Sequence, residues 1–293
     1  MSARPEITAF HEARTGSVQY VVADPATRDC AIIDPVRDYD EKSGATATIQ
    51  ADRILDFIAE RGLRPVWILD THPHADHFSA APYLKQRTGA PMATGALVTE
   101  VQALWAGLYG FPEGHFRADD WDRLFAPGET FRIGGLQARV MHSPGHTLAS
   151  VSIVVGDAAF IHDTLFMPDS GTARADFPGG DAAALWRSIQ AILALPDSTR
   201  LFTGHDYAPG GRAPRWESSV AEQKAQNIHL TRHRDEASFV AARQARDRTL
   251  PMPKLILHAL QVNLRGGRLP EPGPGGRRCL SIPLDVLPGA AWA

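Results

Sequence analysis

The tightest constraint on this chain lies where an apolar run, Val66 to Leu69, passes directly into Asp70-Thr71-His72-Pro73-His74-Ala75-Asp76-His77. Val66 to Leu69 reads as a strand and Phe78 to Arg87, closed by Gly89, as a helix. Within the turn between them, His72 to His77 place three imidazoles and a carboxylate in six residues. A strand end gives such a turn a rigid base from which its side chains can converge on one point. Neutral imidazole nitrogen and carboxylate oxygen suit a borderline-soft divalent ion. The chain has 12 His but only 2 Cys, Cys30 and Cys279, far apart in sequence. A disulfide framework and a Cys-based zinc site are thereby excluded, and a reducing cytoplasm fits.

Three further residues belong with this turn by context. His146 sits in Ser143-Pro144-Gly145-His146-Thr147, where Pro-Gly turns the chain at a strand end. Asp163, between apolar residues, is costly to bury unless a cation or hydrogen bonds hold it. His205 follows the short strand Leu201 to Thr203, and Gly204 beside it permits close backbone approach. His162, next to Asp163, is expected to face away from any metal because alternate strand residues point to opposite sides.

The remaining pattern alternates strand and helix. Ser17 to Ala23 and Cys30 to Ile33 read as a hairpin, and Ile49 to Arg61 as a helix stopped by Gly62 and Pro65. Strands are expected at Thr130 to Ile133, Leu136 to Met141, Leu148 to Val155 and Phe160-Ile161, then a helix capped by Asp181. The C-terminal third adds helices at Ser218 to His233 and Ala237 to Arg248, an apolar segment Leu255 to Val262, and a β-like stretch Leu280 to Leu284 after a Pro/Gly-rich loop. Sheets inside and helices outside, an α+β arrangement, follow from this order. With 293 residues, 44% hydrophobic, one large core is expected. A formal charge of −3 gives no field for nucleic acid or an anionic membrane. The N-terminal residues lack a secretory pattern, and no run is long and apolar enough to span a bilayer.

The order HxHxDH, a His in a Pro-Gly turn, an Asp after a strand and a last His after another strand resembles the ligand order of the metallo-β-lactamase superfamily. The resemblance covers His72 to His205 and, through its strands, begins near Gly16. It implies an αββα sandwich over residues 1–293 as a single domain, with a helical C-terminal part at about 215–270. It also implies an ancestral pair of metal sites, one from His72, His74, His146 and Asp163, the other from Asp76, His77, His205 and a shared Asp163. Three segments, from Thr71, from Asp163 to Asp181 and from Pro253 to Pro270, resemble the persulfide dioxygenase-type branch, a sibling of the glyoxalase II thioesterases. That branch implies one Fe(II) per chain held by His72, His146 and Asp163. His74, Asp76, His77 and His205 then support the site by hydrogen bonds. The implied reaction oxidises glutathione persulfide with O2 to sulfite and glutathione.

For the substrate, Arg174 and Tyr207 are candidates to hold a carboxylate, with Arg212 and Arg215 weaker ones. No Cys lies near the expected site; Ala175 stands where one would not surprise, so sulfur must arrive on a small-molecule thiol or persulfide. No sulfurtransferase domain is recognised in this sequence, and the persulfide donor is expected to lie elsewhere. The resemblance, with the C-terminal apolar helix, suggests a homodimer. The alternative from the same ligand set is a binuclear hydrolase of glyoxalase II type with two Zn(II) per chain.

Overall fold

The computed structural model describes residues 4–288. It opens with β1 (Glu6–His11), β2 (Val18–Ala23) and β3 (Asp29–Ile33). β2 and β3 are buried along their whole length, as strands covered on both faces must be. Their alternation assigns each side chain a layer: Val18, Tyr20 and Val22 enter the core between the two sheets, Val21 and Ala23 the core beneath the helices.

Next come β4 (Val36–Asp40), β5 (Ala45–Ala47), α1 (Ile49–Arg61), β6 (Arg64–Leu69), β7 (Phe78–Ser79), α2 (Ala81–Thr88), β8 (Met92–Gly95), α3 (Val98–Tyr109) and β9 (Arg123–Phe125). The second half holds β10 (Thr130–Ile133), β11 (Leu136–His142), β12 (Val151–Val155), β13 (Ala158–His162), α4 (Ala182–Leu193), β14 (Arg200–Thr203), β15 (Glu217–Ser219), α5 (Val220–Gln226), α6 (Glu236–Asp247) and α7 (Ile256–Asn263). The two large sheets have the orders β1-β2-β3-β6-β8-β9 and β10-β11-β12-β13-β14-β15, and a small third sheet has the order β5-β4-β7. The inter-sheet core includes Tyr20, Ile33, Leu69, Ile153, Phe160 and Phe202. Ile54, Leu84, Trp105 and Leu260 cover the outer face of the first sheet, and Leu185, Ile189, Leu230 and Phe239 that of the second. This is the αββα sandwich. Each fully buried aliphatic side chain contributes about 1.5–3 kcal/mol.

Local signals explain the helix ends. Gly62 adopts φ +59° and closes α1. The Asp181 and Asp235 carboxylates accept the N–H groups of Ala184 and Ser238 at the starts of α4 and α6.

Four expectations need correction. Phe78 belongs to β7, paired with Arg37 of β4, and the helix begins only at Ala81. The strand expected from Leu148 starts at Val151, because Leu148 to Ser150 complete the His146 loop. The helix expected over Ser218 to His233 is a strand residue pair followed by α5, which ends at Gln226. There the buried Asn227 turns its amide to Gly171 O at 3.0 Å. Leu280 to Leu284 forms no strand, since no neighbouring strand pairs with it among the described residues. No helix of the described residues is long and apolar enough to cross a membrane.

Candidate metal centre

The ligand candidates meet at one edge of the sandwich. β6 delivers the turn with His72, His74, Asp76 and His77; the β11–β12 connection delivers His146; Asp163 follows β13 and His205 follows β14. Because β13 and β14 run parallel, Asp163 and His205 emerge at the same end. A Cβ on Gly204 would lie 2.5 Å from Asp163 Oδ1, so only glycine fits there.

His72, His146 and Asp163 offer donor atoms all within 4.8 Å of one another. Asp163 Oδ2 lies 4.0 Å from His72 Nε2 and 3.8 Å from His146 Nε2. Ligands sharing an ion through bonds of about 2.1 Å stand about 3–4 Å apart, so the group is close to closed around one. The tautomers agree. Thr71 gives its hydroxyl proton to Asp34 Oδ2 at 2.8 Å, so it can only accept from His72 Nδ1, 3.0 Å away. His146 Nδ1 faces the Arg174 carbonyl at 2.9 Å and must donate as well. Both rings thus turn an Nε2 lone pair to the site, and His72 Nε2 is buried with no partner in the protein. Burial, reinforced for His72 by neighbouring imidazoles, holds both rings below the ordinary histidine pKa and keeps them neutral.

Asp163 divides its oxygens. Oδ1 accepts from His205 Nδ1 at 2.7 Å, whereas Oδ2 faces the two imidazoles. His205 also donates through Nε2 to Asp76 Oδ2 at 2.8 Å. Burial opposes its charge, but the Asp163 and Asp76 carboxylates outweigh this and hold His205 well above the ordinary value. Burial likewise raises Asp163, and His205 overcomes it to leave the carboxyl near 2. Asp76 Oδ2 accepts in addition from Ser17 Oγ at 2.9 Å and faces His77 Nδ1 at 3.0 Å. His74, Asp76 and His77 form a second donor group, and among the described residues the buried His77 Nε2 has no hydrogen-bond partner. His74 Nε2 leans toward Asp34, 3.0 Å from Oδ1.

His74 also groups with Asp34 and Asp70, and His162 is not a member of any of the three donor groups. Its Nε2 meets Ser143 Oγ at 2.8 Å and Thr164 Oγ1 at 3.0 Å, and its backbone has φ +39°.

A cavity of about 830 Å³ opens from His146, Asp163 and Asp76 toward α6. Arg174 and Tyr207 line it; Arg212 and Arg215 do not. Arg174 pairs with Asp176 at 2.6 Å and donates to Pro251 O at 2.7 Å. Tyr207 is exposed at the mouth and stacks on His205, with 5.8 Å between ring centroids. Arg212 is clamped between Asp169 and Asp206, and Arg215 reaches Glu222 at 3.3 Å. Cys30 is buried, and burial pushes its thiol up to about 12, which leaves it inert.

Three supporting residues carry no local sequence signal of this kind or were passed over. Asn263 on α7 donates to the carbonyls of His74 and His77, both at 2.8 Å, and accepts from Ser79 N–H at 2.8 Å. Asp34 accepts both Thr71 bonds from a backbone with φ +51°. An Asp ending an apolar strand is the signal that marked Asp163, and it was present at Asp34 too. His229 lines the far side of the cavity.

With this fold and donor set, the chain belongs to the metallo-β-lactamase superfamily, whose family model matches residues 14–205. It is 66% identical over 288 residues to the Beta-lactamase hydrolase-like protein of Xylella fastidiosa strain Temecula1, which covers 98% of this chain and 67% of that protein. The chain therefore spans about two thirds of that relative's length. It is 32% identical over 209 residues to the Hydroxyacylglutathione hydrolase of Methylobacterium sp. strain 4-46, covering 69% of this chain and 67% of the other. The crystal structure of ETHE1 from Myxococcus xanthus superposes with a TM-score of 0.72 at 30% identity, covering 90% of this chain and 100% of that one. These likenesses support the branch related to glyoxalase II.

Proposed function

We propose that the chain is an Fe(II)-dependent sulfur dioxygenase that converts glutathione persulfide, O2 and water to glutathione, sulfite and two protons. The observation that carries this reading is the division of Asp163: with Oδ1 committed to His205, one carboxylate oxygen remains for one ion beside His72 and His146. Two imidazoles and one carboxylate on a single face suit non-haem Fe(II), which when bound leaves positions for a sulfur ligand and O2 and supplies the redox chemistry. Thr71 and the Arg174 carbonyl fix the two imidazole tautomers. His205 aims Asp163, and Asp76 holds His205 in turn. Neither cysteine lines the cavity, so the sulfur to be oxidised arrives on the substrate. A cytoplasmic setting belongs to the same proposal.

An oxygen electrode tests the reading with iron-loaded protein and glutathione persulfide. O2 uptake matched by sulfite is expected, at one iron per chain; no uptake rejects it. The orphaned Nε2 of His77, in a donor group with His74 and Asp76, favours a second reading, a two-Zn(II) thioesterase of glyoxalase II type. That reading requires two ions per chain and S-lactoylglutathione hydrolysis without O2.

A further inference from the structure

We propose that Asp247, the last residue of α6, is a positioning residue that aims and polarises His146 through a single peptide group. His146 Nδ1 donates to the Arg174 carbonyl at 2.9 Å. The N–H of that same peptide group belongs to Ala175, and it donates to Asp247 Oδ2 at 3.0 Å. The contacts therefore run from carboxylate to peptide to imidazole, and on to the Nε2 that faces Asp163 Oδ2 at 3.8 Å. A trans peptide is planar with its N–H and C=O pointing opposite ways, so a carboxylate that fixes one end fixes the other. Negative charge at the N–H end also polarises the group and makes its carbonyl oxygen a stronger acceptor. A stronger acceptor at Nδ1 raises the basicity of Nε2, the atom offered to the metal. The inference rests on His146 serving as a metal ligand, not on which reaction the metal supports.

Asp247 is buried, and its two oxygens are divided. Oδ1 takes both bonds from Arg243, one helical turn away, at 2.6 and 2.9 Å, which leaves Oδ2 to Ala175. Arg243, also buried, donates to Thr172 O at 3.3 Å, so both members of the pair grip one strap, residues 171–175. Two more contacts hold the strap. Asn227 donates to Gly171 O at 3.0 Å, and Thr172 N–H donates to His229 Nδ1 at 3.0 Å, which leaves the proton of that neutral ring on Nε2. All four gripping residues lie beyond residues 14–205, the part that the family model matches.

The ion pair is not what docks α6. Phe239 is buried and packs the helix on α4, with 5.2 Å between its ring centroid and that of Trp186. Burying two charges is costly, and such a pair can be exchanged for apolar residues of similar volume with little or no loss of stability. What apolar residues cannot supply is an acceptor for the Ala175 N–H. The Arg174 side chain is tied separately, to Asp176 and to Pro251 O, which leaves the orientation of its peptide plane to Asp247.

Two double variants of the full chain separate the relay from the packing. Arg243→Met/Asp247→Leu removes the buried pair and the acceptor together, whereas Arg243→Met/Asp247→Asn restores a neutral oxygen to receive the Ala175 N–H. In chelator competition for Fe(II) under argon, the first is expected to bind about tenfold more weakly than the parent and the second within about threefold of it. In the metal-free protein, nitrogen-15 NMR should show the His146 Nδ1–H proton shifted upfield in the first variant and moved back toward the parent in the second. Unchanged affinity and an unchanged resonance in the first variant, or equal losses in both, would overturn the relay. Should the first variant fail to fold, the second still decides: an amide oxygen is a weaker acceptor than a carboxylate, so its Nδ1–H resonance must lie upfield of the parent's, and coincidence overturns the proposal. These effects in a chain that takes up no O2 with glutathione persulfide would reject the dioxygenase and leave the relay standing. O2 uptake by the parent, with neither affinity nor resonance moved in the variants, would do the reverse.

Discussion

His205 Nδ1 donates to Asp163 Oδ1 across 2.7 Å, so the residue that ends one parallel strand aims the carboxylate that ends its neighbour. His205→Ala removes this orientation while leaving His72 and His146 in place. Metal affinity should fall about 10–100-fold, as for other groups that orient ligands. Metal competition against a chelator measures it; unchanged retention would show that Asp163 needs no such partner.

His72→Ala deletes a donor whose ring meets Thr71 through Nδ1 and packs against His74, His146 and His162. The variant should lose its metal while the far-UV circular dichroism stays that of the parent. If the chain unfolds instead, the cluster serves stability rather than chemistry.

Asn263→Leu strips the clamp from the histidine turn. It leaves the Ser79 N–H and the His74 and His77 carbonyls without these bonds. Each buried group left unpaired costs about 1–3 kcal/mol. Denaturant melts should show a loss of that order together with weaker metal retention. A stability loss alone, at full metal affinity, would separate α7 from the site.

His229, pushed down to about 4, makes a pH prediction. Its unfolded value is about 6.5, so as pH falls the unfolded chain takes up the proton first. The stability that depends on a neutral His229 is present above about 6.5 and is lost progressively toward about 4. Thermal melts of the parent should therefore drop more steeply over this window than those of His229→Phe. Superimposable Tm profiles would show that the ring is not held neutral.

Much of this was legible locally. α1 spans Ile49–Arg61 as its periodicity and Gly62 indicate, and the histidine turn follows β6 as the apolar run requires. Short or isolated elements were not. β1, β4, β5, β8 and β9 are read as strands only through their partners, and α3, though apolar, lacks a side-chain cap. Asn227 shows the physical reason most directly. Its sequence context continues a helix, but its buried amide is satisfied by Gly171 O, and that long-range bond outweighs local propensity.

The sequence alone determined which donors exist and that they sit at strand ends, because spacing and alternation are properties of a short stretch. Only the tertiary structure decided how they are shared. That His205 takes one oxygen of Asp163, that Arg174 donates to Pro251 O, and that His229 carries its proton on Nε2 all follow from contacts between distant segments. Hydrogen-bond donors and charges acquire their roles from partners, and partners are set by packing.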